Sequence, residues 1–229
     1  YNYYDTTTLE RTSHFISFVD SAWLTAGLIV ARNAAPEQAW RCTRLIGRED
    51  YRFFHDPVEQ LMMHGYYVNL PQRAEYSYGM LYSEARLGSL IAIGKGEAPV
   101  AHWYRMARTF PAGFDWQSQS PKYRLERTVD GYRFPGGYYS WKGVKYVPSW
   151  GGSLFEALMP LLVLDELRYA PASLGQNARA HAEIQRRFAL EQLGYPVWGL
   201  SPSSAPAGDK YGEYGVRILG ARGYRSGAV

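Results

Sequence analysis

The run Ser13 to Asn33 is apolar on nearly every side, carrying Phe15, Ile16, Phe18, Val19, Trp23, Leu24, Leu28, Ile29 and Val30. A surface helix keeps one polar face; this run shows none, so it predicts a helix buried all round. Such a helix needs cover on every side, from the rest of the chain, from a further segment of a parent protein, or from a partner chain. It does not predict a membrane span, because its most apolar part, Ala22 to Ala31, falls short of the roughly 18 to 20 residues that a bilayer requires and contains Thr25 and Gly27. A polar segment rather than a basic one precedes it, so no signal peptide is visible. The chain opens on Tyr1 rather than Met, as expected of a processed or trimmed chain whose export signal has been lost, and a secreted or periplasmic location is expected.

Helical patterns dominate the rest of the chain. Pro36 opens an amphipathic helix to about Arg48, Met62 to Leu70 reads as extended, and helix returns from Gly79 to Ile93 and after Pro99. Ser153 to Arg168 and Ser173 to Leu193 read as two more helices. Ahead of these two, Phe114 to Trp150 is rich in Tyr and Gly, and Asp130-Gly131 predicts a type I′ hairpin turn. Six helices in successive hairpins, with aromatic loops and a short β-hairpin at one end, predict a mainly α fold, an (α/α)6 toroid-type barrel. Residues 220–229 hold no helix that would close the ring, so 1–229 is expected to be a single domain lacking its closing helices.

Composition narrows the function. The 229 residues carry 25 Lys and Arg against 21 Asp and Glu, and the arginines are scattered, so no nucleic-acid partner is expected. Cys42 is the only cysteine, which excludes an intrachain disulfide and a thiolate metal cluster. The five histidines show no HExxH spacing and no nucleotide-binding glycine motif occurs, so neither metal nor cofactor is expected. The unusual quantity is aromatic content, with 20 Tyr and 7 Trp. A flat apolar face with a hydrogen-bonding edge suits a protein core and equally suits a sugar ring.

Three acids lie in apolar helical surroundings. Glu156 is the single charge between Leu154 and Leu164, and Pro160 cannot donate to its carbonyl, so the helix should break there. Glu84 falls with Met80, Leu87 and Ile91 on one face, and Asp20 with Ile16, Trp23 and Gly27. A carboxylate so placed is satisfied by an arginine, by backbone amides, or by a wet cavity. In the last case two of them form the equipment for glycosidic cleavage, one protonating the leaving oxygen and the other attacking the sugar or activating water. Glu84 has the alternative of an ion pair with Arg86. Trp150 and Trp198 sit at loop edges, where a sugar platform would be placed.

The run from Trp150 through Pro160, Trp-Gly-Gly-Ser-Leu-Phe-Glu-Ala-Leu-Met-Pro, resembles the "GGSMFEYLMP" motif of the glucoamylase-like family, which includes bacterial endo-β-1,2-glucanases and cyclic β-1,2-glucan synthase transglycosylase domains. Phe18 to Leu24 is similar to its "SxVDNGWL" segment, Tyr82 to Arg86 to "TESR", Gly194 to Ser201 to "PWGISES", and Tyr211 to Val216 to "YxYxxFGV". Pro202 stands where that pattern has an acid, and Ser21 where it has Asn. The resemblance implies an (α/α)6 barrel with a carbohydrate cleft, a bacterial source, carboxylate catalysts Glu84, Glu156 and Asp20, and sugar contacts from Trp150, Trp198, Tyr214, Tyr211 and Arg86. The expected function is a glycoside hydrolase or transglycosylase acting on an oligo- or polysaccharide, a β-linked glucan with β-1,2 favoured. The alternatives are a non-catalytic carbohydrate-binding protein on the same scaffold and a helical interaction domain.

Overall fold

A computed structural model describes residues 3–204 and 211–223, which form two compact units. The first comprises residues 3–79 with Ala85–Met106, the second Met80–Glu84 with the described residues from 107 onward.

In the first unit, β1 (Phe15–Ser17) leads directly into α1 (Phe18–Ala34), whose N-terminus is capped by the Ser17 hydroxyl accepting from the Asp20 amide at 3.3 Å. Pro36–Gln38 makes one 3-10 turn before α2 (Ala39–Ile46). Short strands come next as β2 (His55–Asp56), β3 (Leu61–Met62), β4 (Gly65–Tyr67) and β5 (Gln72–Arg73), with β4 pairing antiparallel to both β1 and β5. Helices α3 (Ala85–Gly94) and α4 (Ala101–Arg105) complete it. The core joins Phe18, Ala22, Tyr51, Phe54 and Met62 to Ala85 and Ala92. Gly88 permits close approach of α3 to α1, since a Cβ there would lie 2.6 Å from the Phe18 ring and 2.9 Å from the Ala22 methyl. The predicted all-round burial of the first helix is not observed: Phe18, Ala22, Thr25 and Ala26 face inward while Asp20, Leu24 and Val30 are exposed.

The second unit is built on β6 (Tyr123–Val129), β7 (Tyr132–Trp141) and β8 (Val144–Tyr146), an antiparallel sheet in the order β6-β7-β8. Asp130 and Gly131 turn β6 into β7 with φ of +51° and +82°, the two positive values that a type I′ turn requires. Then come α5 (Leu154–Leu158), a 3-10 stretch Met159–Leu162, α6 (Glu166–Tyr169) and α7 (Leu174–Arg187), whose end loosens into a π-helical turn, Phe188–Gln192. Strands β9 (Ser203–Ser204) and β10 (Tyr211–Gly212) pair antiparallel. Tyr139, Tyr146, Ala180, Ile184, Val216 and Leu219 form the core.

The expectation of a mainly α toroid is overturned. Helix makes up 38% and strand 21% of the described residues, with the strands in several small sheets. Two causes are local. The segment read as one helix from Ser153 to Arg168 breaks at Pro160, as its missing N–H requires, leaving helices of five and four residues. The Tyr- and Gly-rich segment forms a whole three-stranded sheet instead of a lone hairpin, because β7 pairs with β6 along one edge and with β8 along the other and buries Phe134 and Tyr139. Helices this short cannot stack as the long hairpins of such a ring.

Candidate functional site

A dense polar arrangement in the second unit centres on Glu156. Ser153 caps α5, its hydroxyl accepting from the Glu156 amide at 3.2 Å, while the Glu156 carboxylate reaches back to the Ser153 amide at 3.2 Å, a capping box. The same carboxylate accepts from the amides of Trp150 at 2.9 Å and Gly151 at 3.0 and 3.1 Å, and from the hydroxyls of Ser153 at 2.8 Å and Ser149 at 3.3 Å. With 4% exposure, Glu156 organises the Ser149–Ser153 loop from inside. Burial pushes its carboxyl above the usual carboxylate range, against the lowering effect of these donors.

This loop is threaded against residues 215–223. Ser149 and Leu219, Ala221 and Ser149, and Val216 and Gly152 are joined by backbone hydrogen bonds of 2.8 to 2.9 Å. Gly152, at φ +80°, lies so close that a Cβ would meet the Val216 carbonyl oxygen at 2.1 Å. From α7, the buried Gln185 side chain donates to the Gly152 carbonyl at 2.8 Å and to the Leu200 carbonyl at 3.2 Å, and accepts from the Leu200 amide at 2.9 Å. A glutamine that satisfies three backbone groups of two loops fixes their relative position.

On the outer side of this framework, Trp150, Tyr211, Glu213, Tyr214 and Arg222 line an open cleft of about 870 Å³. Tyr214 lies over Gly212, where a Cβ would come within 2.6 Å of three atoms of the tyrosine side chain. The cleft thus offers aromatic faces, phenolic hydroxyls, a carboxylate and a guanidinium. Flat apolar surface beside hydrogen-bonding groups of both senses is what a ring bearing hydroxyls requires.

The sequence-predicted residues divide. Trp150, Tyr211 and Tyr214 line the cleft, and Glu156 holds the loop that carries Trp150. Trp198 is exposed but is not among the lining residues. Glu84 is half-buried in the second unit immediately before α3. Asp20 is an exposed first-turn residue of α1 in the first unit, and Arg86 is fully buried at the start of α3 in that unit. Glu213 and Arg222 were not foreseen; the charged residues flanking Tyr214 in the motif Tyr211 to Val216 and after Gly220 were the available signal. Among the described residues no group of three or more His, Cys, Asp or Glu is placed to hold a metal ion, and no helix is long and apolar enough to cross a membrane.

No family model matches the chain. Over 187 residues, 79% of its length, it is 33% identical to the cyclic beta-(1,2)-glucan synthase NdvB of Rhizobium meliloti (strain 1021). The matched stretch spans 5% of that much longer protein.

Proposed function

We propose that this chain is part of a carbohydrate-active enzyme that cleaves a β-linked glucan, with β-1,2 linkages favoured by its likeness to a β-1,2-glucan synthase. The observation that carries the reading is the cleft itself: Trp150, on a loop locked by Glu156, with two tyrosines, Glu213 and Arg222. In the reaction a carboxylic acid protonates the glycosidic oxygen as the bond from C1 breaks. A second carboxylate then attacks C1, or takes the proton of the water or sugar hydroxyl that does so. Water as acceptor gives hydrolysis, and a sugar hydroxyl gives transglycosylation.

Glu84 is proposed for proton transfer and Glu213 as the carboxylate that the cleft presents to substrate. Glu156, its oxygens occupied by loop donors, enters the proposal as a positioning residue. That occupancy also favours a second reading, a binding protein of the same specificity without turnover.

Incubation with β-1,2-, β-1,3- and β-1,4-gluco-oligosaccharides, with products resolved by mass, tests the proposal. Shorter or rearranged β-1,2 products, abolished in Glu84→Gln or Glu213→Gln, support it. Saturable binding with no product supports the binding protein. No binding to any glucan overturns both.

A further inference from the structure

The cleft does not end at Trp150. The Trp150 ring lies 5.8 Å from Trp116, which lies 5.6 Å from Phe114 and 4.9 Å from Phe110. Phe114, Trp116 and Trp150 are 41%, 39% and 36% exposed, so three large rings stand side by side at the surface rather than closing a core. Contiguous exposed rings of this kind mark a binding surface more often than chance packing.

The loop that holds them is fixed. The Gln117 side chain donates to the Pro111 carbonyl at 2.6 Å and the Phe114 carbonyl at 3.3 Å, and accepts from the hydroxyl of the buried Tyr139 at 2.8 Å. Tyr139 accepts in turn from the Phe110 amide at 3.3 Å. The Ser118 amide donates to the Ala221 carbonyl at 2.7 Å, and the Arg222 amide to the Trp150 carbonyl at 3.1 Å. The Phe110–Ser118 loop and Trp150 are therefore tied to one backbone segment, and that segment carries Arg222 into the cleft. Rings ordered before the ligand arrives cost little further entropy on binding.

We infer that Phe114, Trp116 and Trp150 form a stacking strip on which successive sugar rings of a glucan chain lie as it enters the cleft. The inference rests on the proposed glucan reading of that cleft. Ring spacings of 5.6 and 5.8 Å are on the scale of one pyranose ring. The occupant is a saccharide rather than an apolar protein face because the strip runs into Glu213 and Arg222. An apolar partner continuous over both would leave those charges buried and unmatched, whereas sugar hydroxyls meet them and the C–H faces meet the rings. The strip therefore assigns the site to chains of several residues, not to a mono- or disaccharide.

Calorimetric titration of the protein with β-1,2-gluco-oligosaccharides of two to ten residues tests this. Affinity should rise with length in the unsubstituted protein. In Trp116→Ala the ratio of ten-residue to two-residue affinity should fall at least tenfold. Phe114→Ala should lower the same ratio and serves as the second variant if Trp116→Ala lowers the melting temperature. An unchanged ratio in a folded variant overturns the strip while leaving the cleft reading intact. Absence of all glucan binding in the unsubstituted protein removes the reading on which it rests. Concentration-dependent self-association that Trp116→Ala abolishes, with glucan affinity unmoved, overturns the strip in favour of a contact between copies.

Discussion

The Gly151 amide lies 3.0 Å from one oxygen of the Glu156 carboxylate and 3.1 Å from the other, a bifurcated hydrogen bond at the centre of a buried loop. Around it the Trp150 and Ser153 amides donate to the same carboxylate. Replacing Glu156 by Ala strips three backbone donors of their acceptor inside the loop. Unpaired buried donors cost about 1 to 3 kcal/mol each, so a loss of about 3 kcal/mol or more is expected by urea denaturation. Glu156→Gln retains one acceptor oxygen and should cost less. A loss in the Ala variant below about 1 kcal/mol would show that the loop holds itself.

Gly152 and Gly131 make a paired test of backbone crowding. Their φ values are nearly equal at +80° and +82°, but a Cβ on Gly131 meets nothing within 4 Å while one on Gly152 meets the Val216 carbonyl oxygen at 2.1 Å. Gly131→Ala should cost about 1 kcal/mol, the conformational penalty alone. Gly152→Ala adds a backbone clash that can be relieved only by separating the 149–153 loop from residues 215–223, and should cost about 3 kcal/mol or more. Because Trp150 rides on that loop, sugar affinity should fall with it. Equal melting temperatures for the two variants would contradict the close threading.

The contrast between these glycines shows how far the sequence could be read. Asp130-Gly131 announced its hairpin because turn type is decided by the two residues themselves. Pro160 likewise announced a break, since the missing N–H is a property of that residue. Ser153 and Glu156, three apart ahead of an apolar run, formed a capping-box signature that could have located the carboxylate. Its isolation among apolar neighbours pointed instead toward a pocket, with backbone amides as the alternative that the structure displays. The toroid was inferred from counting helices, and helix count depends on how far each one runs, which apolar periodicity leaves open when Pro and Tyr-Gly stretches intervene. Trp116 was invisible for another reason. It meets Trp150 through tertiary folding, and no spacing along the chain brings position 116 beside 150.

Gln185 offers a test of the framework behind the cleft. Replaced by Leu, which fills similar volume, it abandons the Gly152 and Leu200 carbonyls and the Leu200 amide together. The Gly152 carbonyl keeps the Val216 amide and the Leu200 carbonyl keeps the Leu154 amide, so the Leu200 amide is the group that loses its partner. The expected loss is about 1 to 3 kcal/mol, and hydrogen exchange at the Leu200 amide should quicken. A variant with native stability and native protection at Leu200 would show that the glutamine only occupies space.

His102 makes the first unit sensitive to acid. It is fully buried on α4, with Nδ1 3.0 Å from the Gln60 carbonyl and Nε2 2.9 Å from the Ser89 hydroxyl. A carbonyl only accepts, so Nδ1 carries the hydrogen and Nε2 of the neutral ring is the acceptor. Burial lowers the pKa of His102 below its ordinary value of 6.5, and lowers those of His55 and His64, both in this unit, for the same reason. The unfolded chain therefore binds protons at a pH where the folded unit still refuses them, and stability rises with pH across that interval. Above 6.5 the contribution is fully present; below it, stability drains away as pH falls through the folded values. Melting temperature recorded from about pH 7.5 down to about 5 should therefore decline, and the decline should be shallower in His102→Gln, which keeps a donor for Gln60 but cannot titrate. A variant with the same slope as the unsubstituted protein would assign the acid sensitivity to other groups.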